Sequence, residues 1–248
     1  MFVRTENFGT FTRLYPIITA LTAIHIILWL YISLTIPIIN KPLPYAPIFY
    51  ELTVGFNLAV EQGEWWRLIT PIFLHGSLTH LLFNSISLIL FGPGLERILG
   101  KGKFLSLYFA GGIIANIATF LLKPSMYVHL GASGAIFALF GIYIYMVFFR
   151  PEHISSSNAQ IVIVILGISL VMSLLGGGMR NINGTAHLFG FLSGFALSPI
   201  FVGRGNYTRS LRDIFPRGMT QRRSGSNSQN VVWIILIALV ILGILSQF

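Results

Sequence analysis

The sequence predicts an all-α protein that crosses a membrane several times, and three observations carry that prediction. Of the 248 residues, 54% are hydrophobic and only 9% are charged, where a soluble domain carries about 25% charged residues. The apolar residues gather into seven runs, each near the ~20 residues that cross hydrocarbon as a helix. The charged residues sit in the stretches between those runs, so the net charge of +9 reads as membrane topology and not as a nucleic-acid surface. The expected surroundings are therefore a lipid bilayer, with no nucleic-acid partner. There is no cysteine, which removes disulfides, thiolate metal ligands and a cysteine nucleophile.

In chain order, residues 1–14 make a short polar head. Spans are expected at 15–38, 78–95, 103–122, 133–149, 160–175, 185–203 and 231–247. The first apolar run is too long for a signal-peptide core and lacks a clear cleavage site, so it is read as a retained span. The connection 40–77 contains Trp65-Trp66, residues that favour the membrane–water boundary, and is expected to lie partly in that boundary without spanning. Six spans thus form a core over 15–203. A polar linker over 204–230 carries Arg204, Arg209, Arg212, Arg217, Arg222 and Arg223, and leads to an additional C-terminal helix over 231–248. Gly176-Gly177-Gly178, between spans five and six, reads equally as a flexible cap or as an ordinary loop.

The basic residues orient this arrangement. With the N-terminus inside, the inner side carries Arg4, Arg13, Arg97, Lys101, Lys103, Arg150 and the six linker arginines, twelve in all. The outer side carries Lys41, Arg67, Lys123 and Arg180, which is four. The positive-inside rule then puts the N-terminus in the cytoplasm and, after seven spans, the C-terminus outside.

Polar groups within apolar spans are costly and are functional candidates. His80, Ser133 and His187 open spans two, four and six, each 17 residues before an inner arginine: Arg97, Arg150 and Arg204. At ~1.5 Å rise per residue all three lie ~25 Å above the inner edge, in one layer near the outer face. Asn84 follows His80 on the same helix face, one turn deeper. Ser133 sits within Gly131-Ala132-Ser133-Gly134, where the glycines admit a close backbone approach. A serine becomes a nucleophile when a base takes its proton, and histidine is the usual base, so Ser133 and His187 make a candidate dyad. No Asp or Glu lies near His187 in sequence to orient it. His80, the Asn84 amide and the Ser133 N–H are candidate oxyanion donors. Set against this are a hydrogen-bond network that only ties helices together, and a metal site from His75, His80 and His187. The metal site ranks lower, because HExxH is absent and no acidic ligand is nearby. No metal or other cofactor is expected. His25 stands alone in span one as a packed or interfacial residue, while His129 and His153 fall in loops and are expected to be solvated.

Five pieces in order carry a resemblance: Trp66-Arg67; His75, His80 and Asn84; Glu96-Arg97 with Gly100; Gly131-Ala132-Ser133-Gly134; and Ala186-His187 with Gly190 and Gly194. Over residues 60–200 the chain resembles the rhomboid family of intramembrane serine proteases. The resemblance implies a six-helix rhomboid-like core, with the seventh helix an addition found in some members. It implies that Ser133 is the nucleophile, His187 the general base, and that His80, Asn84 and the Ser133 N–H form the oxyanion hole. By the same resemblance Gly131 lets the substrate backbone approach and His75 supports a hydrated pocket. Phe137 stands where family members often have a tyrosine stacked on the base, so the ring is kept and the hydroxyl lost. Gly190 and Gly194 let spans four and six pack closely. Ser77, Thr79, Asn84 and Ser85 are expected to line a wet cavity, and Glu96-Arg97 to form an ion pair or a loop anchor. The implied function is cleavage of other proteins' transmembrane segments near the outer face. The short N-terminus shows no organelle targeting, so a bacterial plasma membrane is the expected location. One alternative is a non-catalytic relative that binds or escorts membrane helices; another is a transporter or channel, against which the polar residues cluster at a single depth.

Overall fold

The computed structural model describes residue 2 and residues 5–33, 46–176, 182–203 and 214. The end of the first expected span, the Gly177-Gly178 part of the glycine run, nearly all of the 204–230 linker and the additional helix at 231–248 lie outside the described residues.

Helices account for nearly all the regular structure. They are α1 (Phe8–Leu14), α2 (Pro16–Ser33), α3 (Ala46–Thr53), α4 (Asn57–Glu61), α5 (Leu78–Leu99), α6 (Lys101–Leu122), α7 (Ser133–Phe149), α8 (Ser156–Gly176) and α9 (Gly184–Phe201). Two short strands, β1 (Gly55–Phe56) and β2 (Val128–His129), pair antiparallel, with Gly55 opposite His129. Among the described residues, helices α2, α5, α6, α8 and α9 are each long and apolar enough to cross a membrane, and α7 is a shorter apolar helix of 17 residues. The protein is an integral, multi-pass, all-α membrane protein.

The turn between α5 and α6 is tighter than expected. Gly100, at φ +78°, reverses the chain in one residue, so both helices run on through the charged residues 96–103. A left-handed backbone of this kind suits glycine because it has no Cβ to clash. Glu96 does not pair with Arg97. It is buried, and its carboxylate accepts the N–H groups of Ile17 at 3.0 Å and Ile18 at 3.1 Å. An acid at the first turn of α2 satisfies orphan donors and faces the positive end of the helix dipole. The anchor reading of Glu96 is therefore the observed one.

The connection before α5 folds as α3, β1, α4 and two 3-10 turns, Trp65–Leu68 and Thr70–Phe73. Arg67 organises it from within. Buried, it donates through Nη1 to the carbonyls of Glu51 (2.6 Å) and Val54 (2.7 Å), and through Nε to the Glu64 carboxylate (2.6 Å). Trp66 Nε1 donates to Leu52 O at 2.9 Å. Trp66 and Arg67 thus serve the loop and do not enter the region around Ser133.

His129 corrects an expectation: it is buried, not solvated. Pairing of β2 with β1 turns its ring over Gly55, where a Cβ would stand 2.6 Å from the imidazole. Burial pushes the His129 imidazole down to about 4. His25 is packed, one of the two expected readings. It is fully buried, with its ring centroid 4.9 Å from that of His75 and Nε2 3.5 Å from the Tyr108 hydroxyl. His153 is partly exposed, as a loop histidine can be, and its Nε2 meets Arg150 Nη2 at 3.1 Å.

Helix α7 is the most enclosed element, and small residues let its neighbours reach it. A Cβ on Gly190 of α9 would collide with the Gly134 backbone of α7, and one on Gly194 with the Ala138 backbone. Such close backbone approach is how membrane helices associate where apolar lipid offers no hydrophobic drive. Gly141 of α7 meets the α9 backbone in the same way. Tyr143, fully buried, donates to Phe91 O at 2.6 Å and ties α7 to α5. At the far end the Arg150 guanidinium donates to the carbonyl of Val202, joining the C-terminal ends of α7 and α9.

Candidate active site

Three helix starts converge on one point. Ser77 caps α5 by accepting the His80 N–H at 3.1 Å. Asn183 caps α9 by accepting the Ala186 N–H at 3.0 Å, while its amide donates to Thr119 Oγ1 at 2.9 Å and fastens α9 to α6. Helix α7 opens at Ser133 with no side-chain cap, which leaves first-turn N–H groups without helical partners. Ahead of it Gly131 sits at φ +126°, held by its N–H bond to Pro71 O at 2.8 Å.

The close packing of α7 on α9 brings Ser133 and His187 together. Ser133 Oγ lies 2.8 Å from His187 Nε2. Phe137, one turn along α7, stacks flat on the imidazole, with centroids 4.3 Å apart and planes 9° apart. The other ring nitrogen, Nδ1, is hydrogen-bonded to Ser173 Oγ at the end of α8. Among the described residues no carboxylate is bonded to His187. Ser133 and His187 are partly buried, and Ser173 is 3% exposed.

His80 closes the other side. A Cβ on Gly131 would stand 2.7 Å from His80 Cε1 and Nε2 and 3.8 Å from Ser133 Oγ. The vacant volume at Gly131 therefore lies between an imidazole edge and the serine hydroxyl. A group placed there would meet the edge of the His80 ring and the Ser133 hydroxyl at once. Asn84, one turn below, is buried and donates from Nδ2 to the His80 carbonyl at 3.0 Å. Gly134 and Gly190 form the contact that seats α9 next to Ser133.

His75 is buried between His25 and His80, its ring centroid 5.1 Å from that of His80, and neither of its ring nitrogens makes a hydrogen bond of normal geometry to the protein. Burial, reinforced by repulsion from His25 and His80, holds its pKa well below the usual histidine range. Ser85 is also buried, with its Oγ unpartnered, whereas Ser77 is used as a helix cap and Thr79 is exposed. Unpartnered buried polar atoms at His75 and Ser85 suit ordered water. Among the described residues no group of three or more His, Cys, Asp or Glu side chains converges as metal ligands.

Sequence reasoning missed Ser173 and Asn183. Ser173 lies in an apolar run, Ile168-Ser169-Leu170-Val171-Met172-Ser173-Leu174-Leu175, where either serine reads as ordinary packing. Asn183 carried a readable signal, an Asn standing three residues before a helical N–H in need of a cap.

A family model described as the rhomboid domain matches residues 62–204, more than half of the chain. The chain is similar to "Putative rhomboid protease YdcA" of Bacillus subtilis (strain 168), 50% identical over 198 residues that cover 80% of this chain and 94% of that protein. It is 40% identical over 139 residues to rhomboid protease GluP of the same organism, covering 56% of this chain and 26% of GluP. With Rhomboid-like protease 1 of Toxoplasma gondii it shares 34% identity over 186 residues, 72% of this chain and 62% of the relative.

Proposed function

The chain belongs to the rhomboid family of intramembrane serine proteases, and from that membership we propose that Ser133 and His187 carry the hydrolysis. In this reading Ser133 Oγ donates its proton to His187 Nε2 and attacks a substrate carbonyl. The imidazolium then gives the proton to the leaving amine, and a water activated by the same ring releases the acyl group. The observation that carries the reading is the 2.8 Å approach of Ser133 Oγ to His187 Nε2 across two helices.

The developing oxyanion would occupy the space in front of Gly131, receiving bonds from the Ser133 N–H, the His80 ring and the Asn84 amide. Such a donor is worth roughly 10²–10³ in rate. Asn84 also acts through its bond to the His80 carbonyl, which couples it to the turn that carries His80. His75 and Ser85 would keep water near the site.

The substrates are transmembrane segments of other proteins, cut close to the outer face. Residues 15–203 form the catalytic core in this reading, with 204–230 a cytoplasmic basic linker and 231–248 a further span. The basic residues favour a cytoplasmic N-terminus and an external C-terminus, and the similarity to the Bacillus proteins favours a bacterial plasma membrane.

The test is cleavage of a single-span model substrate by the full-length protein in proteoliposomes. Ser133→Ala and His187→Ala should each abolish cleavage while expression and protease-protection patterns stay the same. Undiminished cleavage by the Ser133→Ala protein would sink the proposal.

A further inference from the structure

We propose that Ser173 is a positioning residue for His187: its hydroxyl accepts the Nδ1 proton and holds the imidazole in the tautomer whose Nε2 lone pair faces Ser133. This rests on the Ser133–His187 reading above.

Helix α8 reaches α9 at Ser173. Gly184, the first residue of α9, is where a Cβ would stand 3.3 Å from the Ser173 carbonyl oxygen. A side chain there would press on the Ser173 carbonyl by a few tenths of an ångström, so the glycine eases the approach of the Ser173 hydroxyl to the first turn of α9. That turn carries His187, whose two ring nitrogens are thereby both engaged, Nε2 by Ser133 and Nδ1 by Ser173.

A neutral imidazole carries one ring proton. If Nε2 is to take a proton from Ser133, that ring proton must reside on Nδ1, and Ser173 Oγ must then accept it. A serine can do so because its hydroxyl has two acceptor lone pairs and a rotatable proton. When the ring gains the second proton, the same acceptor is already in place and nothing has to reorganise. A carboxylate would hold the imidazolium more strongly, but an ionised acid at this depth is costly while His187 is neutral. A hydroxyl accepts the bond without adding charge.

Stacking alone does not set the tautomer. Phe137 fixes the plane of the imidazole, yet a half-turn about χ2 keeps that plane. It exchanges Nδ1 with Cδ2 and Nε2 with Cε1, and turns a carbon toward Ser133. The bond to Ser173 opposes that flip, because Cδ2–H is a poor substitute for Nδ1–H.

The experiment compares Ser173→Ala, Ser173→Thr and Ser173→Val in the full-length protein, with Ser133→Ala as the blank. Competent sites are counted by exhaustive fluorophosphonate labelling, so that turnover is expressed per labelled serine. Threonine and valine match in shape and differ in the hydroxyl, which separates hydrogen bonding from packing if alanine impairs folding. Ser173→Ala and Ser173→Val should lower kcat per labelled site about 10- to 100-fold, the worth of a hydrogen bond to a charged group. KM should stay within about twofold, since the bond acts on the chemical step. Ser173→Thr should recover most of the loss. Equal turnover by the threonine and valine proteins, or a loss explained entirely by fewer labelled sites or by raised KM, overturns the positioning role. Cleavage by the Ser133→Ala blank would instead remove the dyad, so the two failures are distinguishable.

Discussion

The phenyl ring of Phe137 lies flat on the imidazole of His187, with centroids 4.3 Å apart and planes 9° apart. Because Phe137 follows Ser133 by one helical turn, a single helix presents both the hydroxyl and the surface against which the facing ring rests. The tyrosine hydroxyl lost at this position is not needed for that stack.

Phe137→Tyr should therefore change kcat little, within about threefold, while Phe137→Ala should lower it about 10-fold. An aromatic pair is worth ~0.5–1.5 kcal/mol beyond its area, and a freed imidazole also loses its orientation toward Ser133. Steady-state cleavage of a model transmembrane substrate measures both. Equal rates for the alanine and wild-type proteins would show that the stack plays no part in turnover.

Gly190→Ala should cost both stability and activity, because the new methyl would press on the Gly134 backbone next to Ser133. Overpacking typically costs ~1–3 kcal/mol, and the separation of α9 from α7 would lengthen the Ser133–His187 contact. Gly102→Ala is the control. Nothing lies within 4 Å of its Cβ position in α6, so stability should hold or rise slightly. Thermal melts in detergent, read beside cleavage rates, test the pair; a Gly190→Ala protein that melts and cleaves like wild type would refute the close-packing account.

His129 makes stability depend on pH. Its folded pKa of about 4 lies below the ordinary histidine value of about 6.5, so between those values the unfolded chain binds more protons than the folded one. Stability then rises with pH across this window: the contribution is complete above about 6.5 and is lost as pH falls toward 4, about 3 kcal/mol at most. Replacement by Phe, which keeps a ring over Gly55, should flatten part of the slope of melting temperature against pH from 6.5 to 4. An unchanged slope would mean that His129 is not a contributor.

Glu96→Gln should destabilise the protein by about 1 kcal/mol, because the charge facing the α2 N-terminus is lost and an amide can accept less well from both Ile17 and Ile18. Turnover per labelled serine should be unaltered, since Glu96 lies far along α5 from His80. A drop in turnover at unchanged melting temperature would contradict this structural role.

Much of the arrangement could be read from the chain because lipid is an unforgiving solvent. Ser133, His187, His80 and Asn84 stood out since a polar group in an apolar span needs a reason. The start and end of α7 were readable to the residue, as Ser133 and Arg150 bracket an unbroken apolar run. Gly190 and Gly194 announced a close helix contact by their spacing. The burial of His129 is not legible in the sequence, because it depends on a pairing with Gly55, 74 positions earlier, that no local pattern encodes. Ser173 looked like any packing serine until α8 was seen to end against His187.

By itself, then, the amino-acid order determined the class, the apolar runs that form the long helices and the short set of candidate residues for chemistry, because hydropathy and the cost of polar groups in hydrocarbon act locally along the chain. Tertiary structure alone decided which nitrogen of His187 meets which serine, that Glu96 closes the start of α2 and that His129 is shut away from water. Those outcomes depend on distances between helices remote in sequence, and such distances are set by which backbones the glycines allow to touch.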